Sequence, residues 1–440
     1  MERSLRWTKR LAGVAIEGLI ANGRRRRIGT KIDNILDHWF RDWLLCEARA
    51  TENKAPRMTQ AKQQPADHNV KVALDRLHED VFAANMAPFW AVDTGAYHDE
   101  DQQVRDKQKA VPFVWKYKRD IEPLLHRSAE LITTESSERR SLILVNPGLA
   151  PRRASVSTMY TAYRLNDPRE IMPPHRHSPN AIRFGLTGRL NFTGVEGENI
   201  TFGPGDMVLT PHDTWHNHGN QGDDPAINLS VLDLPLVETL NATYFEHDYT
   251  ETEKGERVRK AVQSERFPSD YSQRVYGHGG LMPRFVSHDR GTGNASPMYV
   301  YRWEVMQALL EKFRDWDGDP YEALLVEYVD PTNGRPVFKT ITFFAQMLRP
   351  GERTRALKQN ASLLCAPFQG RGHSLVDGKR LDWEPFDTFA VPGGTWCEHV
   401  NESDRDPAIL FVASDEPTLK ALSLYQKHGR LASGETVRLV

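Results

Sequence analysis

The stretch Thr214-Trp215-His216-Asn217-His218-Gly219-Asn220 returns 181 residues later as Thr395-Trp396-Cys397-Glu398-His399-Val400-Asn401. Upstream, His175 of His175-Arg176-His177 lies 13 residues before Gly188, and Leu357 of Leu357-Lys358-Gln359 lies 13 residues before Gly370, an offset of 182. Chance can produce one such match. A second, almost in register at long range, marks an internal duplication, and the rest of the chain is read from it. Each copy consists of short alternating runs broken by Gly, Pro, Asn and Asp. In the first copy they include Ser141–Val145, Ala181–Leu186, Arg189–Thr193 and Met207–Pro211; in the second, Lys339–Leu348, Ser362–Phe368 and Thr388–Val391. Short strands at close spacing predict a β-sandwich or barrel in each copy. Outside them the pattern is helical. Val70–Ala84 predicts a helix with one apolar face, Met298–Trp316 is the strongest helix signal, and the tail Glu416–His428 also reads as helix.

Composition narrows the function classes. Of 440 residues, 39% are hydrophobic and 26% charged, and net charge is −2, so no global basic field exists to hold nucleic acid. No run reaches the roughly 18 apolar residues of a membrane span. Three cysteines, Cys46, Cys365 and Cys397, with no CxxC pair, exclude a disulfide scaffold and fit a cytoplasmic setting. Residues 1–57 carry thirteen Lys/Arg against seven Asp/Glu and contain Arg24-Arg25-Arg26-Arg27. They read as a solvated extension, or as sequence upstream of a start at Met58, and are expected to be dispensable.

The chemistry lies in the first copy. Five of the 16 histidines fall there: His175, His177, His212, His216 and His218. His175 and His177 share one face of a strand, so two imidazoles can meet one ion, and His216 supplies a third from a later strand. Surface histidines give an isolated HxH, but not an HxH with a spaced third histidine inside a β-repeat. Three imidazoles leave about half of an octahedral shell open. That suits non-haem iron, and zinc or copper as well. The second copy has Leu357, Gln359 and Cys397 at these positions, which points to packing and assembly.

Gly205-x5-Pro211-x4-His216-x3-Asn220 resembles the second cupin motif, and His175-x-His177 followed by Gly188 resembles the first. Two usual motif glycines fall at Asp213 and Arg169, and the usual glutamate ligand falls near Ala181. Pro-Pro-His-Arg-His-Ser-Pro-Asn-Ala-Ile-Arg-Phe together with Thr-Pro-His-Asp-Thr-Trp-His-Asn-His-Gly-Asn resembles the bicupin gentisate 1,2-dioxygenase family, which includes salicylate and 1-hydroxy-2-naphthoate ring-cleaving enzymes. The resemblance runs from about Met86 to Gly429, taking in Glu138-Arg139-Arg140 and Asn146-Pro147-Gly148.

The resemblance implies a mainly β bicupin, two jelly-roll barrels with flanking helices. The expected division is a basic extension (1–57), a helical N-terminal region (58–140), a metal-binding cupin (141–250), a linking helical region (251–335), a metal-free cupin (336–430) and a tail (431–440). It implies Fe(II) on His175, His177 and His216, with the substrate's carboxylate and ortho-hydroxyl chelating the iron beside O2. Ring cleavage then falls between the carboxylate-bearing and hydroxyl-bearing carbons. The partners expected are a small aromatic acid and O2, in a homotetramer, with no nucleic acid and no membrane. His218 is expected as a polar or acid–base partner. Arg183, and Arg139 from an earlier segment, can neutralise a carboxylate. Arg164 stands where the family often has Gln, and Ser230 where it often has Asp; both, with Tyr160, are expected to reach substrate. Trp215, repeated as Trp396, is expected in core packing. Two other classes stay open here: a cupin with another metal and reaction, such as an isomerase, and a non-catalytic metal-linked storage or ligand-binding cupin. Arg183 and His218 favour catalysis, since storage needs neither.

Overall fold

The computed structural model describes residues 68–90, 109–132, 140–279, 281, 283–285 and 293–440. Residues 1–57 and Arg139 lie outside them. The chain divides into two compact units, 1–97 and 98–440. The described part of the first holds one helix, His68–Ala83, whose Val70, Val72, Leu77 and Phe82 are exposed.

The second unit is mainly β and contains two eight-stranded barrels. The first has β1 (Tyr160–Asn166), β2 (Ile171–His177), β3 (Ala181–Gly185), β4 (Asn191–Val195), β5 (Glu198–Phe202), β6 (Met207–Thr210), β7 (His216–Asn220) and β8 (Ala226–Leu232). The second has β9 (Thr342–Leu348), β10 (Leu357–Gln359), β11 (Leu363–Gln369), β12 (Gly372–Val376), β13 (Lys379–Trp383), β14 (Thr388–Val391), β15 (Trp396–Asn401) and β16 (Ala408–Ser414). Sheet order is β6-β3-β8-β1 facing β2-β7-β4-β5 in one, and β14-β11-β16-β9 facing β10-β15-β12-β13 in the other. The two topologies are the same, as a duplicated jelly roll requires.

The duplication extends to single backbone conformations. Arg169 and Asp213, where motif glycines usually stand, have φ of 60° and 60°. Their counterparts in the second barrel are glycines, Gly351 and Gly394, at φ 68° and 88°. The turn keeps its left-handed conformation in both copies, and the first copy bears the steric cost of a side chain there. Gly188 and Gly370 hold φ of 74° and 79° above Ala226 and Ala408, which leave no room for a Cβ.

Alternation along the strands shows what each face buries. On β8, Ile227, Leu229 and Val231 point out of the first barrel, and Asn228, Ser230 and Leu232 point in. The outward residues are not exposed: they pack against Phe343, Met347, Ile409 and Phe411 of the second barrel. Phe184 of β3 stacks on Phe411 of β16 with centroids 4.2 Å apart. The joint is pseudo-symmetric. Thr340 Oγ1 donates to Asp233 Oδ2 at 2.5 Å, and Thr158 Oγ1 donates to Asp415 Oδ2 at 2.5 Å. The duplication therefore supplies the apolar core that each barrel's outer sheet needs, and leaves the interior of the first free for polar groups.

Two predicted helices are shorter than their sequence pattern. Within Met298–Trp316 the helix begins only at Trp303, because Val300–Tyr301 pairs with β6 as an edge strand. Asp206 fixes the start, accepting from Trp303 N at 2.8 Å and Arg302 Nη1 at 2.9 Å. In the tail the helix stops at Ala421, and Lys427–Arg430 pairs with β10.

Candidate metal centre

His175 and His177 lie on β2 and His216 and His218 on β7, all at most 2% exposed. A bulge between Met172 and His175, spanning Pro173-Pro174, shifts the register of β2 against β7. Prolines lack the donor that a regular ladder needs, and the extra residue re-aims the following side chains. Met172 and His218 are cross-strand partners, and so are His175 and His216.

The four imidazoles converge. Ligand nitrogens of His175, His216 and His218 lie within 4.8 Å of one another, and His177 Nε2 is 3.1 Å from His216 Nε2. Three of the rings are anchored alike. Nδ1 of His175 meets Pro173 O at 3.1 Å, Nδ1 of His177 meets Pro179 O at 2.9 Å, and Nδ1 of His216 meets Thr214 O at 2.8 Å. A carbonyl only accepts, so each Nδ1 carries the hydrogen and each Nε2 the lone pair. His218 differs: its Nδ1 meets Thr193 Oγ1 and its Nε2 meets Arg183 Nη2. Burial pushes the His216 and His218 rings well below the usual imidazole range; next in weight are His175 and His177 for the first and Arg183 for the second. Neutral, desolvated imidazoles are the form that binds a cation.

Facing these histidines, the inner surface of the other sheet carries Tyr160, Ala162 and Arg164 on β1, Arg183 on β3 and Asn228 and Ser230 on β8. Ser230 sits directly across from Arg183 on one side and Ala162 on the other. The structure therefore brings Tyr160, Arg164, Arg183 and Ser230 onto one face of one sheet. Arg164 has a partner the sequence did not name. Its Nη2 donates to Glu170 Oε1 at 2.9 Å, its Nη1 lies 3.7 Å from Met172 Sδ, and Arg140 grips the other oxygen of Glu170. Arg140 also reaches Asp167 at 2.5 Å. The result is a buried Arg140–Glu170–Arg164 network with the partly exposed Asp167 at its edge.

Other residues were not singled out by their sequence pattern. Phe245 follows the barrel on a two-residue strand, Phe245–Glu246, that pairs with β2, and His247 comes directly after it; their rings lie 5.1 Å from His177 and 6.2 Å from His175. His212 holds Ser178 O through Nδ1 at 2.5 Å. Thr193 could have been found from the repeat, since Ser374 stands 181 residues later beside His399. Trp215 corrects the expected core role. It is half-buried, with the Arg176 guanidinium over its ring and Tyr249 meeting it edge-on, each 5.1 Å away, just as Trp396 lies 4.5 Å from the Arg430 guanidinium.

The second barrel has filled its interior. Cys365 stands at the position of Arg183, Val412 at Ser230, Leu410 at Asn228, Phe344 at Ala162 and Cys397 at His216, and these side chains form an apolar core. His399 is retained, and burial alone lowers it to about 4. The unfolded chain takes up that proton near pH 6.5, so stability falls as pH drops from about 6.5 to about 4, by up to about 3 kcal/mol, and levels off below. Urea unfolding of the metal-free protein across this range should show a shallower pH slope for His399→Gln than for wild type.

Fold and site together define a bicupin whose first barrel encloses a buried histidine cluster able to hold a metal ion. A family model described as a cupin domain matches residues 166–232. A 5-aminosalicylate 1,2-dioxygenase from a Comamonas species is 34% identical over 374 residues, covering 84% of this chain and 94% of that protein. A gentisate 1,2-dioxygenase from a Streptomyces species is 33% identical over 80% of this chain and 94% of that protein. The crystal structure of a salicylate 1,2-dioxygenase from Pseudaminobacter salicylatoxidans superposes with a TM-score of 0.68 at 30% identity, covering 81% of this chain and 97% of that one. The chain belongs to the gentisate 1,2-dioxygenase family of bicupins, and is an aromatic ring-cleaving dioxygenase. The non-catalytic reading of the histidine cluster is thereby set aside. Among the described residues no helix is long and apolar enough to cross a membrane.

Proposed function

We propose that the first barrel holds Fe(II) on His175, His177 and His216 and that the chain opens the ring of a 2-hydroxyarenecarboxylate of the gentisate, salicylate or 1-hydroxy-2-naphthoate type. The observation that carries this reading is the common anchoring of the three rings. Each Nδ1 is tied to a backbone carbonyl two residues away, which turns each Nε2 lone pair into the cluster. Such anchoring fixes ring orientation and raises ligand basicity. His218 is less suited to be a ligand, because its Nε2 already accepts from a guanidinium. Bound there, Fe(II) supplies open coordination positions and the redox chemistry that joins O2 to the ring.

The chain's own residues orient the acid. Arg183 places a planar cation on the inner face, where it can take a carboxylate. His218 lies beside it as the polar and acid–base partner. Tyr160 provides an aromatic wall toward one end of the same strand face. Arg164, neutralised by Glu170, contributes a fixed polar wall, and Arg139 is a further candidate for the carboxylate. Relatives named for 5-aminosalicylate and for 1-hydroxy-2-naphthoate support a site that is not tied to one ring substituent. Composition and the family resemblance also suggest a cytoplasmic homotetramer; sedimentation of the purified protein tests the assembly.

Ser230 sets the expected breadth. An Asp there would accept a hydrogen bond from a further ring hydroxyl, whereas serine is shorter and neutral. Loss of one charge-assisted bond costs about 1.5–3 kcal/mol, roughly ten- to a hundredfold in binding. Oxygen-electrode assays should therefore find turnover of salicylate, substituted salicylates or 1-hydroxy-2-naphthoate as well as gentisate. Strict dependence on a 5-hydroxyl would refute the argument from Ser230.

A further inference from the structure

His218 is held from both sides. Its Nε2 lies 3.1 Å from Arg183 Nη2, and its Nδ1 lies 3.0 Å from Thr193 Oγ1. A guanidinium only donates, so Nε2 is the acceptor, and Nδ1 carries the hydrogen that Thr193 Oγ1 receives. Thr193 is fully buried on β4, directly across the ladder from His218. We propose that Thr193 is a positioning residue for ring opening: its hydroxyl oxygen takes the Nδ1 hydrogen of the tautomer that Arg183 selects, and so keeps His218 where its Nε2 holds the Arg183 guanidinium on the inner face of the barrel. This rests on the roles proposed above for His218 and Arg183.

The alternative tautomer shows why one oxygen can matter to two residues. With the hydrogen on Nε2, an N–H would face the N–H of Arg183, and the two groups would separate. In that tautomer Thr193 would turn its O–H toward Nδ1, so it is the guanidinium that selects the tautomer, and Thr193 supplies the acceptor without which the Nδ1–H would stand unpaired in a dry interior. A hydroxyl on the histidine-bearing sheet thus bears on the guanidinium of the facing sheet, whose Nη1 is also held by Ile182 O at 3.1 Å.

The second barrel contains an internal control. Ser374 and His399 are again cross-strand partners, with Oγ 2.8 Å from Nδ1. Ser374 Oγ also accepts from Trp383 Nε1 at 3.0 Å, which leaves its own O–H available to His399 Nδ1. What faces Nε2 there is Cys397 Sγ at 3.7 Å. The hydroxyl–imidazole pair is the same, but the guanidinium and the other histidines are absent from the matching positions. A purely structural role predicts equal consequences in the two barrels. A positioning role predicts a functional loss in the first only.

The test uses the full-length protein with Thr193→Val, Thr193→Ala, Thr193→Ser and Ser374→Ala. Nitrogen-15 NMR of the histidine side chains in metal-free protein, with His218 assigned from a His218→Gln sample, reads the tautomer. The expected wild-type signal is Nδ1–H; Thr193→Val moves it toward Nε2–H, and Thr193→Ser restores it. In the iron-loaded protein, Thr193→Val should keep its metal and lose about ten- to a hundredfold in kcat/KM, mainly through a higher KM as Arg183 is released. Ser374→Ala should leave kcat/KM unchanged. Should Thr193→Val fail to fold, Thr193→Ala takes its place in both measurements. An unchanged tautomer in Thr193→Val, an equal kcat/KM loss in Ser374→Ala, or failure of Thr193→Ser to restore function would overturn the proposal. If wild type opened no ring of any acid tested, the roles of His218 and Arg183 would fall and the positioning role with them, while the NMR result would still decide the tautomer lock.

Discussion

His216→Ala should abolish ring opening and strip the protein of its iron. The substitution removes one of three proposed ligands and leaves His175 and His177, and two imidazoles hold Fe(II) poorly. The expected loss exceeds the roughly ten- to hundredfold that follows when only a ligand's outer hydrogen-bond partner is removed. The fold should survive, because His216 is a neutral, desolvated ring whose removal leaves no buried charge behind. Metal analysis after desalting, with circular dichroism on the same sample, checks both halves. Wild type should carry one iron per chain, since the matching positions of the second barrel are Leu357, Gln359 and Cys397. Two tightly bound irons per chain would refute confinement of the centre to the first barrel.

Glu170→Gln should cost about 3–5 kcal/mol of stability, the usual penalty for removing one partner of a buried ion pair. Glu170, Arg140 and Arg164 are each at most 8% exposed. The glutamate accepts from both guanidiniums and from the Asp167 backbone N–H at 2.7 Å. Neutralising it leaves two buried cations with only Asp167, at the edge of the network, to balance them. At about 2.1 cal/mol/K of unfolding entropy per residue, each kcal/mol shifts Tm of a protein this size by about 1 °C, so a fall of about 3–5 °C is expected by scanning calorimetry. An unchanged Tm would mean that water reaches the network and screens it. The same network explains why an arginine is tolerated at position 164 inside the barrel.

Strand positions were readable because the relevant signal is local. The run expected at Thr388–Val391 is β14 itself, and Ala181–Leu186 and Met207–Pro211 differ from β3 and β6 by one residue. The histidine constellation was readable too, since i, i+2 spacing on a strand and a repeat with its donors replaced are both linear patterns. What failed depended on contacts between distant segments. Val300–Tyr301 carries helical periodicity but is drawn into the edge of β6, and Lys427–Arg430 is drawn to β10. The partner of Arg164 arrives across a turn that holds Arg169 in the left-handed region. The tryptophans looked like core because they repeat, yet repetition preserves a stacking surface as readily as a core. The outward apolar faces of β3 and β8 gave no hint in sequence that their partner is the other barrel.

The most direct test of the account is turnover under labelled oxygen. Fe(II)-loaded full-length protein is supplied with ¹⁸O2 and with gentisate, 5-aminosalicylate, salicylate or 1-hydroxy-2-naphthoate, and the product is weighed by mass spectrometry. One O2 should be consumed per ring opened, with both labelled atoms in the ring-opened acid, for at least one of these substrates. No oxygen uptake with any of them, from protein shown to carry one iron per chain, would contradict it.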